Sequence, residues 1–304
     1  MLLLLDSGRS FGAVQKDRRM IVKRINVLLL MILAVAFGLF AGYHLWVHNR
    51  LDTTGPVLTV EEGMLEISVK DRETALMKGI RAVDDRDGDV TASILVESIY
   101  GISEDHVTTV TYAAFDRAGN VTKIQRKIRF VDYQSPRFEA YGSLTFPGNF
   151  SFDLMDHVGA YDVLEGDIRR RVHATLVSDT KDISAEGNHQ VKLMVTNSLG
   201  DTAEVVLPVL VYSPEWYTAD VMLTDYLIYR KQGSAFQAED YLESFVFRGD
   251  PIDISREIPS DINVEIQNEV RTGIPGVYEV TYILSKNLNG TNHSGIAKLI
   301  VIVE

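Results

Sequence analysis

Asp84-Asp85-Arg86-Asp87-Gly88-Asp89-Val90-Thr91, then Val110-Thr111-Tyr112-Ala113-Ala114-Phe115, then Asp116-Arg117-Ala118-Gly119-Asn120-Val121-Thr122 decide the fold, because this order returns twice. In the second copy Glu165-Gly166-Asp167-Ile168 is followed by Val191-Lys-Leu193-Met-Val195, Asn197-Ser-Leu-Gly200-Asp201-Thr and Val205 to Val211. A third, eroded copy keeps Arg248-Gly249-Asp250, Gly276-Val-Tyr-Glu-Val280-Thr-Tyr282, a turn at Asn289-Gly290 and Ala297 to Val303. The first-turn glycines fall at 88, 166 and 249, spacings of 78 and 83 residues, so each period is one small domain.

Within a period the apolar residues alternate, as in Val110, Tyr112 and Ala114 or Val280, Tyr282 and Leu284. That is the two-residue period of a half-buried strand. Short runs rich in Val, Ile, Thr, Tyr and Phe are divided by Asp-Gly, Gly-Asn, Asn-Gly and Pro signals. The pattern predicts an all-β chain of tandem immunoglobulin-like β-sandwiches, each closing in a hairpin. Proline at the opening of each unit (Pro56, Pro136, Pro214), the last two after a closing strand, marks the joints. The expected domains are 55–132, 133–213 and a divergent 218–304, stacked through short, semi-rigid linkers. Phe152 to Val163 and Ala238 to Phe247 read as helix-like turns crossing between sheets.

These residues resemble the bacterial immunoglobulin-like domain first named from a pesticidal crystal protein. The likeness is densest over Ala82 to Thr91 and Thr109 to Thr122. The second copy departs at Glu165 and Asp201, and the third keeps little beyond Gly276 to Tyr282. The resemblance implies fold and a surface location, in repeats beside adhesive or enzymatic domains, and no defined ligand.

Ahead of the repeats, Val27 to Val47 is an almost unbroken apolar run preceded by six Lys or Arg. About 20 apolar residues match a hydrocarbon layer of roughly 30 Å. The run predicts a transmembrane helix over 25–47 behind a basic cytoplasmic leader, 1–24, with Val27, Leu30, Leu33, Phe37 and Phe40 facing lipid and Trp46 with Tyr43 at the interface. The charge bias puts the later domains outside a plasma membrane crossed once. A cleaved secretory signal is the competing reading, but its apolar core is usually shorter and its small-x-small site follows the core rather than lying within it, as Ala36 and Gly38 do here. Met20 opens an ordinary short leader, so translation starts at Met1 or at Met20.

Residues 48–304 carry 24 basic and 40 acidic residues, a net charge of −16. Such a surface repels phosphate backbones, which excludes nucleic acid as a partner, and attracts divalent cations. The chain has no cysteine, so disulfides, thiol chemistry and thiolate metal sites are absent.

Asp84, Asp85, Asp87 and Asp89 are the sharpest chemical feature, a candidate for calcium, the only cofactor in view. The loop does not fit an EF-hand, because Val83 and Ile94 would occupy its first and twelfth positions. A plain turn, with Gly88 at positive φ and the aspartates accepting from backbone N–H groups, is the bland alternative. His44 and His48 share a helix face with no third ligand. Arg169-Arg170-Arg171 forms a basic island, read as a solvated strand edge. Tyr212, Trp216, Tyr217 and Tyr226 cluster at the last joint, where inter-domain packing is the ordinary explanation. Four Asn-x-Ser/Thr sequons, at Asn120, Asn149, Asn289 and Asn292, carry no weight in a bacterial protein. No G-x-S-x-G, S-x-x-K, H-E-x-x-H or P-loop motif occurs, so the expectation is a non-enzymatic surface protein that acts as a binding or spacer module. Cell-wall glycan or another surface protein is the expected partner. Two alternatives stay open: a calcium-dependent adhesin, and an accessory subunit of a membrane complex for envelope glycan synthesis or export. The latter would pack through Ala34, Gly38 and Gly42.

Overall fold

The computed structural model describes residues 7–148, 150–177, 183–215 and 217–304. One long helix precedes short strands in sandwich-like sheets, and among the described residues three sheets hold three strands and three hold four. The chain forms two compact units. One runs up to Val60 and includes Ile80–Leu95 and Tyr112–Ile124; the other comprises Glu61–Gly79, Val96–Thr111 and Gln125–Glu304.

The helix, Ser7–Arg50, extends beyond both ends of the expected 25–47 span. Nothing breaks it, since no proline lies between Ser7 and Arg50. Met20–Val47 is long and apolar enough to cross a membrane, and its most apolar window has a mean hydropathy of 2.5 with none of it buried. Val27, Leu30, Leu33, Phe37, Phe40 and Trp46 are all between 51% and 71% exposed. The Tyr43 and Trp46 rings stack near the end of the segment at 6.5 Å.

In the same unit Val57–Val60 pairs antiparallel with Ile80–Asp84, which turns back through residues 85–87 into Gly88–Asp89. Burial along Ile80–Asp84 alternates strictly: Ile80, Ala82 and Asp84 are buried while Arg81 and Val83 face water. The two-residue period thus carries Asp84 to the inner face. Val110, Tyr112 and Ala114 are fully buried, and Ala113 between the last two is buried as well.

In the other unit Arg137–Ala140, Val158–Asp162 and Gly166–Asp167 form one sheet. The opposing sheet orders His173–Leu176, Gly187–Thr196, Thr202–Tyr212 and Thr145–Pro147, the last parallel to its neighbour. Phe138, Val158 and Ala160 meet Leu193, Val195, Leu207 and Val209 in a shared core. The third repeat follows the same plan, with Asp220–Leu223, Leu242–Phe247 and Asp250–Asp253 against Leu227–Arg230, Thr291–Val303, Gly276–Leu288 and Ile262–Asn268. Its core contains Phe245, Tyr282, Leu284, Leu299 and Val301, and the Tyr282 hydroxyl donates to the Ala238 carbonyl at 2.7 Å.

The joint between the second and third sandwiches is a packed surface. Leu299 and Val301 enter the third core, whereas Ile300, on the opposite face of the same strand, belongs to the second. Around it the Phe138 N–H donates to the Tyr229 hydroxyl at 2.9 Å, Arg137 stacks on the Tyr229 ring and pairs with Glu304, and the Lys298 N–H donates to Ser143 Oγ at 3.1 Å.

The two helix-like stretches resolve otherwise. Each opens with a single 3₁₀ turn, Leu154–Asp156 or Ala238–Tyr241, and continues as a strand, Val158–Asp162 or Leu242–Phe247. Asp153 caps the first turn, accepting from the Met155 N–H at 2.9 Å, and beyond it Val158, Ala160 and Asp162 share the buried face of a strand while Tyr161 is exposed. Gly88, Gly166 and Gly249 all adopt positive φ, 75°, 76° and 86°, as the repeated tight turn requires.

Candidate metal centre

Asp84 ends its strand pointing inward and starts the acidic loop. Its Oδ1 accepts from the N–H groups of Arg86 and Asp87, both at 2.9 Å, which folds the loop back on its own first residue. Asp87 reaches the neighbouring hairpin, where its Oδ2 accepts from the Arg117 N–H at 2.7 Å. Asp89 Oδ1 accepts from the Thr91 N–H at 2.9 Å, and its bonds with Thr91 hold the carboxyl below its usual range. Of the four candidate ligands, Asp87 and Asp89 therefore serve backbone groups, as Asp84 does through Oδ1.

Asp84 and Asp85 instead converge on Asp52, which lies just after the helix. One carboxylate oxygen from each of the three falls within 4.8 Å of the others. At that separation each pair of charges repels by about 1 kcal/mol in water and about 4 kcal/mol in a partly buried setting. The segment is fixed by Asn120, whose Nδ2 donates to the carbonyls of Asp52 (3.2 Å) and Thr54 (3.0 Å) and to Asp116 Oδ2 (2.7 Å). Thr54 Oγ1 bridges Asp52 Oδ1 and Asp85 Oδ1 at 3.0 and 3.1 Å. Arg86 Nε approaches Asp52 Oδ2 at 3.7 Å. Burial pushes the Asp116 carboxyl up, but bonds from the Asn120 side chain and backbone outweigh it and hold the carboxyl below its usual range. Asp84 is only 4% exposed, and its Oδ2 is buried with no hydrogen-bond partner. These ligands are all oxygen, the donor set of hard cations.

The second repeat builds the same loop differently. Asp162 takes the place of Asp84, is fully buried, and accepts at Oδ1 from the N–H groups of Leu164 (2.8 Å) and Glu165 (3.1 Å). Its Oδ2 is satisfied, because Asn197 Nδ2 donates to it at 2.8 Å. Asn197 also donates to the Tyr133 hydroxyl, which in turn donates to Asp201 Oδ2 at 2.8 Å. Burial and the Asp201 carboxylate push the Tyr133 phenol far above its normal range. Glu165 Oε1 accepts from the Ser198 N–H, as Asp87 does from Arg117.

Arg169–Arg171 is a 3₁₀ turn rather than a strand edge. Arg171 forms a bidentate pair with Glu165; burial pushes the Glu165 carboxyl up, but this pair together with the bonds from Ser198 holds it below its usual range. Arg169 pairs with Asp167 and stacks on Tyr141. Tyr212 and Tyr217 pack edge to face at 5.1 Å, and Tyr226 is buried, in line with packing at that joint. Trp216, Asn149 and the side chain of His48 lie outside the described residues.

No protein-family profile matches the chain, and no curated protein matches it. Among solved structures it is similar to the extracellular cadherin domains 1–5 of protocadherin gamma B2, with 9% identity over 83% of this chain and 60% of that one and a TM-score of 0.19. Drosophila N-cadherin EC1-4 gives 15% identity over 83% and 67%, with a TM-score of 0.20. The CBM51-2 and INT domains of Clostridium perfringens ZmpB give 13% identity over 81% and 44%, with a TM-score of 0.21. The chain spans 60% of the protocadherin it matches.

Proposed function

We propose that the chain is a membrane-anchored bacterial cell-surface protein whose β-sandwich domains, 55–132, 133–213 and 218–304, form a non-enzymatic module that binds envelope material. One observation carries this reading: within Met20–Val47 the stretch from Val27 onward is an almost unbroken apolar run and none of it is buried, as a lipid-facing segment requires. The basic residues ahead of it favour a cytoplasmic N-terminus and external sandwiches. The Asp-Gly-Asp and Asp-x-Ala-Gly-Asn turns support the narrower assignment to immunoglobulin-like repeats of the pesticidal crystal protein type.

The test is co-sedimentation of the detergent-solubilised chain with purified cell-wall sacculi in calcium-containing buffer. The expected result is saturable recovery in the pellet, competed by soluble wall fragments. Recovery no greater than that of an unrelated acidic protein would overturn the binding role.

A further inference from the structure

We infer that Asp52, Asp84 and Asp85 form a calcium site that fastens the segment leaving the helix to the first sandwich. Three observations converge. The first is charge: three carboxylates share a space of 4.8 Å, and the cation placed against them is Arg86 at 3.7 Å from Asp52. A dication added to that arrangement neutralises it.

The second is an orphan. Buried carboxylate oxygens in native proteins are almost always met by a donor or an ion, because leaving one bare forfeits its hydration without return. Asp84 is 4% exposed and its Oδ2 has no donor.

The third is internal to the chain. The two repeats place an aspartate at the same inward strand end, with the same two backbone bonds to Oδ1. In the second repeat Asn197 supplies the hydrogen for Asp162 Oδ2. The first repeat has Asp116 where the second has Asn197, so the position that donates in one copy can only accept in the other. The copy lacking the donor is also the one with two further carboxylates beside that aspartate. Where the second repeat uses an amide, the first has the ligands for a metal.

Calcium fits better than magnesium. It takes six to eight oxygens in loose geometry, including backbone carbonyls and water, whereas magnesium demands a near-ideal octahedron. Asp52 follows the helix end, Arg50, by two residues, so a bound cation would tie this segment to the loop after Ile80–Asp84.

The test is calorimetric titration of chelator-stripped full chain in detergent with calcium chloride, paired with thermal unfolding in calcium and in chelator. Two variants accompany it. Asp52→Asn with Asp85→Asn removes charge at exposed or half-buried positions while sparing Asp84. Asp116→Asn, with Asn120 kept to hold the Asp52 segment, transplants the second repeat's donor. The wild type should bind one calcium per chain at this site and unfold about 5 °C or more higher in calcium. D52N/D85N should bind at least 30-fold more weakly. D116N should lose binding and unfold in chelator no earlier than the wild type. Absence of calcium heat and of any thermal shift in the wild type would overturn the site. So would binding in D52N/D85N within threefold of wild type, or undiminished binding in the transplanted variant. If D52N/D85N fails to fold, D116N alone decides.

Discussion

Arginine at positions 33 and 37 together should release the protein from the membrane. Leu33 and Phe37 lie near the middle of Met20–Val47 and are 69% and 71% exposed, with no protein surface to shelter a charge. Each arginine at the centre of a span costs about 2.5–3.5 kcal/mol on insertion, and two cost about 6 kcal/mol with the lost apolar contribution. That is on the order of a ten-thousandfold shift in the insertion equilibrium. Carbonate extraction of membranes reads it: wild type stays in the pellet, and L33R/F37R moves to the supernatant. The mass of the mature wild-type protein, measured alongside, separates a retained anchor from a cleaved signal. A double variant that stays in the pellet like wild type would mean that this helix does not hold the protein in the bilayer.

The second large effect is at Asp162. Alanine there removes the acceptor for the Leu164 and Glu165 N–H groups and for Asn197 Nδ2, all in a fully buried position. Hydrogen bonds to a charged acceptor are worth about 1.5–3 kcal/mol each, and stranded donors add their desolvation, so the second sandwich should lose about 3–5 kcal/mol. Its urea midpoint should fall by about 2 M. Asp84→Ala, measured in chelator, should cost less than half as much, because Asp84 Oδ2 has no donor to strand. Equal losses at the two positions would show that the two loops are not wired differently.

Much of this was readable in the sequence. The three turn glycines, the strand alternation through Tyr112 and Tyr282, and the closing hairpins follow from local chemistry, and all appear where that chemistry puts them. Alternation also carried the key to the site, since a strand that buries Ile80 and Ala82 must turn Asp84 inward. Read as a run of four acids, the loop hid that difference between its members. Asp52 was invisible as a partner because it is brought to the loop by Asn120, 68 residues away. The contact between the second and third sandwiches had a signal that passed unread. Leu299-Ile300-Val301-Ile302-Val303 is continuous rather than alternating, as befits a strand buried on both faces. The helix-like stretches misled because 3₁₀ turns and short strands both place apolar residues close together.

The orientation of the sandwiches is the point on which the functional reading stands, and the absence of cysteine makes it measurable. Single cysteines at Ser10, ahead of the apolar segment, and at Ser260, exposed in the third repeat, can be labelled in intact cells with a membrane-impermeant maleimide. The Ser260→Cys protein should label before lysis, and the Ser10→Cys protein only after it. Labelling of Ser10→Cys in intact cells with Ser260→Cys protected would put the sandwiches in the cytoplasm and contradict a cell-surface role.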